Sequence, residues 1–313
     1  MTVQVEQRPT AVRDASALVL SAFDRGPVQY VPNLARELER LGYYRYWMSE
    51  HRTPPVSPAP VILAAIAAAV TTTLRVGTAG VKLRYVSATR IVEELTLLEA
   101  LFPARIDFGV ISAPESDAEL DALLLDGRVR EKGHFQDAFK EVLGRICSGN
   151  PKVQSRADLW ICGLHDATAE MAARSGVGFA YHRYLARCAH QSNGPDLADR
   201  YRAEFQRHQW RDEPGVAVVC FGACADSSDE AEMFWRRVVG RASNGIGPDF
   251  IGTPENCAEQ LTDIAHSFDT TEIVAHCVSP TYAAQVRQYE LLMAAVRAST
   301  QSGREGSHTG RMC

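Results

Sequence analysis

Gly42-Tyr43-Tyr44-Arg45-Tyr46-Trp47-Met48-Ser49-Glu50-His51-Arg52 is the stretch from which the rest of the chain can be read outward. Upstream of it, Val31 to Leu41 carries Leu34, Leu38 and Leu41 at helical spacing, and Gly42 stands as a C-terminal stop. The aromatic and large residues that follow suit a buried strand. That strand ends in a carboxylate, an imidazole and a guanidinium. Thr53-Pro54-Pro55 then forbids both helix and ladder, so the chain has to turn. Polar residues gathered at the C-terminal end of a strand in a βα repeat are where barrel active sites lie. A plainer reading fits the same residues: Glu50 and Arg52 as a surface ion pair, His51 as a loop histidine.

Strand and helix signals alternate along the whole length. Strands are expected at Ala17 to Phe23, Tyr44 to Met48, Leu74 to Val81, Arg105 to Ile111, Asp158 to Gly163, Val177 to His182, Val216 to Cys224 and Thr271 to Val278. Helices are expected near Ala88 to Leu101 and Ala167 to Ser175, with a closing helix at Tyr282 to Arg297. Eight parallel strands with helices between them predict an α/β fold, a single (β/α)8 TIM barrel over residues 17–298. No GxGxxG or Walker pattern follows the first strand, which argues against a dinucleotide-binding or P-loop fold. Residues 1–16 read as a flexible N-terminal segment. Residues 299–313, rich in Gly, Ser and Arg, read as a disordered tail.

Composition narrows the function. At 313 residues and 46% apolar the chain can bury a large core, and its net charge of −5 with no basic tract leaves no footprint for nucleic acid. Pro58 to Val70 is the most apolar stretch and is too short to span a membrane. The eight cysteines form no CxxC, which suits a reduced, cytoplasmic protein. The nine histidines show no HExxH, so no metal site is expected.

Three further places carry candidate chemistry. Val76-Gly77-Thr78-Ala79-Gly80-Val81 puts small residues at a strand end, where a flat ligand or a second backbone can come close. Crowding inside the barrel explains it equally well. Leu159 to Thr168 runs a buried strand through Gly163 into a helix whose start carries Asp166 and Thr168. The N–H groups of such a start form an anion site, and barrels often hold a phosphate there; an ordinary N-cap explains the same residues. Gly252-Thr253-Pro254-Glu255-Asn256 opens a helix with Thr at N-cap and Pro at N1 and reads as structural.

Taken together, these motifs resemble the bacterial luciferase-like flavin-dependent monooxygenases. Tyr44 to His51 is similar to that family's strand 2, Arg75 to Val81 to its strand 3, and Glu93 to Gly109 to the helix and strand that follow. Leu159 to Ala173 resembles its strand 5 and phosphate-loop helix, and Gly252 to Glu255 a further family segment. The resemblance implies a barrel that binds reduced FMN (FMNH2) supplied by a separate flavin reductase. The flavin C4a carbon would react with oxygen, and the resulting peroxide would oxidise an organic small molecule. Within that resemblance, His51 is the catalytic imidazole, exchanging a proton near neutral pH. Glu50 orients it or touches the flavin edge. Ala79-Gly80 falls where the family carries a non-proline cis peptide beneath the flavin. The N–H groups of Leu164 and His165, with the Thr168 hydroxyl, match the FMN phosphate loop. Phe23, Ile111 and Arg183 are assigned to the substrate pocket.

The departures from the family pattern are specific. Its second histidine is Arg52, its reactive strand-4 cysteine is Ile111, and its phosphate-binding arginine is Ser112. A histidine after strand 3 becomes Ser87 and a proline becomes Arg84; the loss at Ser112 weakens the phosphate site unless Arg84 or Arg183 supplies the charge. The Val239 to Gly252 region is short, which suggests an open pocket for a bulky substrate. Three readings follow: an FMNH2-dependent monooxygenase, extending to the tailoring of a secondary metabolite; a deazaflavin-dependent dehydrogenase on the same barrel; and a non-catalytic FMN-binding flavoprotein. Glu50-His51 and Thr78-Ala79-Gly80 favour the first over the second. A homodimer is also expected. Pro58 to Val70 has almost no polar residue on any face, so a helix there needs cover on both sides. Ile91, Leu95 and Leu98 on the next helix are expected to extend that outer surface, with Ala68 facing outward. The chain's own loops could provide the cover instead.

Overall fold

The structure is a computed structural model that describes residues 18–24, 27–52, 57–115, 117–127, 134–148, 157–190, 193–207, 211–240 and 247–309. The expected flexible segment 1–16, the Thr53-Pro54-Pro55 turn and residues 241–246 of the short connection after Val239 lie outside these residues.

The strands are β1 (Val19–Asp24), β2 (Arg45–Met48), β3 (Arg75–Lys82), β4 (Ile106–Ile111), β5 (Asp158–Gly163), β6 (Gly178–His182), β7 (Val216–Cys224), β8 (Phe250–Gly252) and β9 (Glu272–Cys277). Every pairing between them is parallel. β8 adds only a short extension to the far end of β7, pairing Phe250 with Gly222 and Gly252 with Cys224. The other eight of the nine strands close on themselves through β6–β7, β7–β9 and β9–β1, giving the expected (β/α)8 barrel.

Helices ring the barrel: α1 (Val31–Leu41), α2 (Pro60–Ala69), α3 (Ala88–Leu101), α4 (Ala118–Leu125), α5 (His134–Ser148), α6 (Asp166–Ser175), α7 (Arg183–Cys188), α8 (Gly194–Glu204), α9 (Ser228–Val238), α10 (Pro254–Ser267) and α11 (Tyr282–Thr309). α1 buries Val31, Leu34, Ala35 and Leu38 and stops at Gly42, whose φ of 82° is left-handed. α11 continues past the expected end near Arg297 and runs to Thr309, through the segment expected to be a disordered tail.

β2 shows how two cores arise from one strand. All four of its residues are buried. Alternation sends Tyr46 and Met48 into the layer between sheet and helices, and Trp47 into the barrel interior beside Phe23, Ala79, Trp160 and Phe221.

The floor of the barrel, at the N-terminal ends of the strands, is a charge cluster. The Asp107 carboxylate, fully buried, accepts from Arg45 Nη1 at 2.7 Å, Trp47 Nε1 at 2.9 Å, and Arg75 Nε and Nη2 at 2.9 and 2.5 Å. Arg45 also pairs with Glu272 and stands 3.6 Å from Asp158, which Arg211 holds at 2.6 Å. Three arginines and three carboxylates thus satisfy one another in the closed end.

On the outer ring the expected dimer surface needs correction. Ile91, Leu95 and Leu98 are 0%, 1% and 4% exposed, so this stripe of α3 faces the barrel. Ala68, at 1%, is also on the buried face. A single apolar stripe on a ring helix is taken up by the strands it covers. The outward apolar residues are Ile62 and Ile66 on α2 and Leu97 and Leu101 on α3.

Candidate active site

Glu50, His51 and Arg52 leave the barrel at the C-terminal end of β2. His51 is half-buried, and its backbone exchanges hydrogen bonds with Ser57 at 2.9 and 2.7 Å. The Glu50 side chain is buried beside β3: one oxygen accepts the Lys82 N–H at 2.7 Å, and the other lies 2.5 Å from Arg52 Nη2. Burial pushes its carboxyl above the usual carboxylate range, against the opposing pull of the Lys82 N–H and Arg52. Next to it, the Ser49 hydroxyl is buried with no hydrogen-bond partner among the described residues.

β3 supplies the adjoining wall. The Ala79-Gly80 peptide is cis, as the resemblance implied. Crowding is real here too. A Cβ at Gly77 would lie 1.9 Å from the Asp107 carbonyl, and one at Gly80 within 2.9 Å of the Gly109 and Val110 backbone. The close approach of a second backbone is thus what these glycines serve within the barrel. The Thr78 hydroxyl ties β3 to β4 through the Gly109 carbonyl at 2.8 Å.

Ile111 ends β4 in register with Cys162 on β5 and is partly buried against the inner core, while Ser112 beyond it is exposed. After β5, the chain turns at Leu164 and exposed His165 into α6. The Thr168 hydroxyl donates to the His165 carbonyl at 2.6 Å and lies 3.3 Å from the His165 N–H, so it closes the helix start as a cap. Gly163 makes room for it: a Cβ there would meet Thr168 Oγ1 at 2.4 Å.

The two arginines expected to compensate for Ser112 are both engaged. Arg84 pairs with Asp121 at 3.2 Å. Arg183, at the start of α7, lies 2.5 Å from the buried Asp249 carboxylate, which Arg187 shares at 3.1 Å and which accepts the Phe221 N–H at 2.9 Å. Phe23 is buried at the end of β1, with its ring centroid 5.7 Å from those of His182 and Phe221 and 5.8 Å from that of His276.

Sequence reasoning missed these two imidazoles: His182 ends β6, and His276 is the penultimate residue of β9. Their position near the C-terminal end of an apolar strand was the available signal. His276 Nδ1 lies 2.8 Å from the Phe23 carbonyl, which can only accept, so Nδ1 carries the proton. Also missed were Lys82 and Glu115. Glu115, from the loop after β4, receives Arg52 and Lys82 at 2.7 Å each, and its N–H donates to the Tyr85 hydroxyl at 2.6 Å.

Residues 9–248 match the family model for luciferase-like monooxygenases. The chain belongs to that family. It is 26% identical to the N-acetyl-S-alkylcysteine monooxygenase of Bacillus subtilis, over 87% of this chain and 93% of that protein. The crystal structure of apo-MsnO8 superposes with a TM-score of 0.79 at 27% identity, covering 90% of this chain and 98% of that one. The oxygenating constituent of 3,6-diketocamphane monooxygenase from Pseudomonas putida, solved with FMN, shares the fold at a TM-score of 0.65 and 14% identity, over 90% and 98% of the two chains. Membership in this family makes the protein an enzyme of the monooxygenase class. Among the described residues, no helix is long and apolar enough to cross a membrane.

Proposed function

We propose that the protein is the oxygenating component of a two-component, FMNH2-dependent monooxygenase acting on an organic small molecule, with a separate flavin reductase as its donor and the cytoplasm as its location. The observation that carries this is the convergence of buried Glu50, partly buried His51 and the unpartnered Ser49 hydroxyl with Ala79-Gly80 at the C-terminal ends of β2 and β3. The residues fit a flavin. Small residues leave room for a flat ring, Ser49 lacks a partner that a ring heteroatom would provide, and the α6 start offers backbone N–H groups to a phosphate. When bound, the reduced flavin supplies the oxygen activation. Glu50 and Ser49 orient the ring edge, and His51 holds or returns a proton near neutral pH. Phe23 and Ile111 exclude water from the reacting centre. With Arg84 and Arg183 engaged elsewhere, Leu164, His165 and Thr168 carry the phosphate end without a guanidinium. The relative that acts on N-acetyl-S-alkylcysteine makes small thioethers sensible first substrates to screen.

His51→Ala should leave FMN affinity, read by flavin fluorescence, nearly intact. Product that has gained one oxygen atom, read by mass spectrometry, should fall about 100-fold or more. Wild-type turnover in that variant would remove His51 from the mechanism. Binding of a deazaflavin with no binding of FMN would replace the monooxygenase reading by the dehydrogenase one.

We also propose a homodimer through α2 and α3, using the outward set Ile62, Ile66, Leu97 and Leu101 in place of the stripe expected from spacing.

A further inference from the structure

Four charged side chains at the mouth of the barrel share their partners unequally. Glu50 has Arg52 at 2.5 Å and the Lys82 N–H at 2.7 Å. Arg52 also reaches Glu115 at 2.7 Å, and the Lys82 ammonium reaches the same Glu115 oxygen at 2.7 Å. The Tyr85 ring lies 5.3 Å from the Arg52 guanidinium, and the Tyr85 hydroxyl fixes the Glu115 backbone. The side chains of Glu50, Glu115, Lys82 and Arg52 are 3%, 5%, 10% and 17% exposed, so solvent screens their mutual fields weakly. Two of these positions, Lys82 and Glu115, belong to no reading made from the sequence, while Arg52 was read there only as a surface ion-pair partner of Glu50 and as a departure from the family pattern.

We propose that Arg52, Lys82 and Glu115 are positioning residues for Glu50, and that they apportion charge so as to set whether Glu50 carries a proton. The inference rests on the reading of Glu50 and His51 as the flavin site. Two cations serve two carboxylates, and each cation drawn toward Glu115 is less available to Glu50. Without Glu115, Arg52 and Lys82 have Glu50 as their remaining carboxylate in this cluster, and the ionised form gains. Without Arg52, burial dominates and the protonated form gains. The distinction matters at a flavin edge, because a protonated carboxyl donates a hydrogen bond and an ionised one only accepts. The groups facing Glu50 are Lys82 from β3 and Arg52 from its own loop, with Glu115 and Tyr85 behind them and His51 next in the chain. Outside the cluster, Asp121 takes both Arg84 and the Tyr85 hydroxyl, and burial together with Asp121 pushes that hydroxyl up to about 12.

The test is the titration of the Glu50 carboxyl, followed by infrared spectroscopy with carboxyl-labelled glutamate and assigned by its loss in Glu50→Gln. Arg52→Met should raise the midpoint by about one to three pH units, the usual scale for losing a neighbouring opposite charge. Glu115→Gln should lower it, and Arg52→Lys should restore it toward the wild type. Should Arg52→Met fail to fold, Lys82→Met removes the second cation, keeps the backbone N–H, and should shift the midpoint upward as well. Midpoints that do not move, or that move in the same direction for Glu115→Gln and the cation variants, would overturn the proposal. Titration of FMN into the same proteins keeps the two readings apart. Wild type that binds no FMN at any pH defeats the flavin reading, while opposite shifts of the carboxyl midpoint would still uphold the charge division.

Discussion

Replacing Asp107 by alanine tests the barrel floor. The carboxylate accepts four hydrogen bonds, from Arg45, Trp47 and twice from Arg75, and is fully buried. Arg45 is 3% exposed and keeps Glu272 and the more distant Asp158 after the change, so it is not left bare. Arg75 retains the Ala104 and Ile106 carbonyls. Trp47, fully buried, loses its partner outright. Breaking a buried ion pair from one side costs about 3–5 kcal/mol. An orphaned buried N–H costs about 1–3 kcal/mol. The two losses share one network and do not add, which leaves about 3–5 kcal/mol for the substitution. Urea denaturation followed by circular dichroism should show an earlier midpoint at similar slope. FMN binding without denaturant should be retained, because the floor lies at the opposite end of the strands from Glu50. A loss below about 1 kcal/mol would refute the reasoning, since it would mean that the desolvation of Asp107 already cancels what its partners return.

Two further outcomes can be checked directly. Thr168→Val deletes a hydroxyl that closes the α6 start; it should weaken FMN binding by about 1–3 kcal/mol and riboflavin binding less. Equal wild-type affinity for FMN and riboflavin would exclude a phosphate site there. Ile62→Glu combined with Leu97→Glu should give monomers by sedimentation at micromolar concentration, whereas Ala68→Glu should unfold the chain because Ala68 is in the core. A wild-type protein that sediments as a monomer would dispose of the dimer.

Much of the barrel was legible because buried parallel strands read as short apolar runs bounded by turn residues. All eight closing strands lie within a few residues of their expected positions. β8 was not legible: three residues, Phe250–Gly252, are too few to show a period. The six-residue helix α7 escaped for the same reason. The error on α3 has a different origin. Helical spacing identifies Ile91, Leu95 and Leu98 as one stripe but does not say what the stripe faces. In a ring around a barrel the first claim on it belongs to the strands. The residues left outside are Leu97 and Leu101. At the site, Glu50-His51 could be found because it is contiguous and ends a strand. The Arg52–Glu115 pair spans 63 positions and has no local signature. Only the strand order β2-β3-β4 brings its ends together.

The two ends of the barrel show what a buried carboxylate does when its partners differ in number. Asp107 and Glu50 are equally hidden, at 0% and 5% exposure. Asp107 takes four hydrogen bonds and leaves little unmet, which suits a position that only has to hold strands together. Glu50 has one peptide N–H and one guanidinium that it shares with Glu115, and burial still prevails to push its carboxyl up. A carboxylate in that state has interaction free energy left to give to an incoming group, and so does the unpartnered Ser49 hydroxyl beside it. Evidence of a binding site therefore lies less in the presence of charge at the barrel mouth than in its incomplete satisfaction. Filling that gap from within should show the cost. Glu115→Gln, which frees two cations toward Glu50, should make the resting protein more stable around Glu50 and the site less receptive to a hydrogen-bond acceptor on the flavin edge. In pH-dependent FMN titrations, the binding limb that requires a protonated Glu50 should then move to lower pH. A limb that stays in place would separate flavin binding from the proton on Glu50.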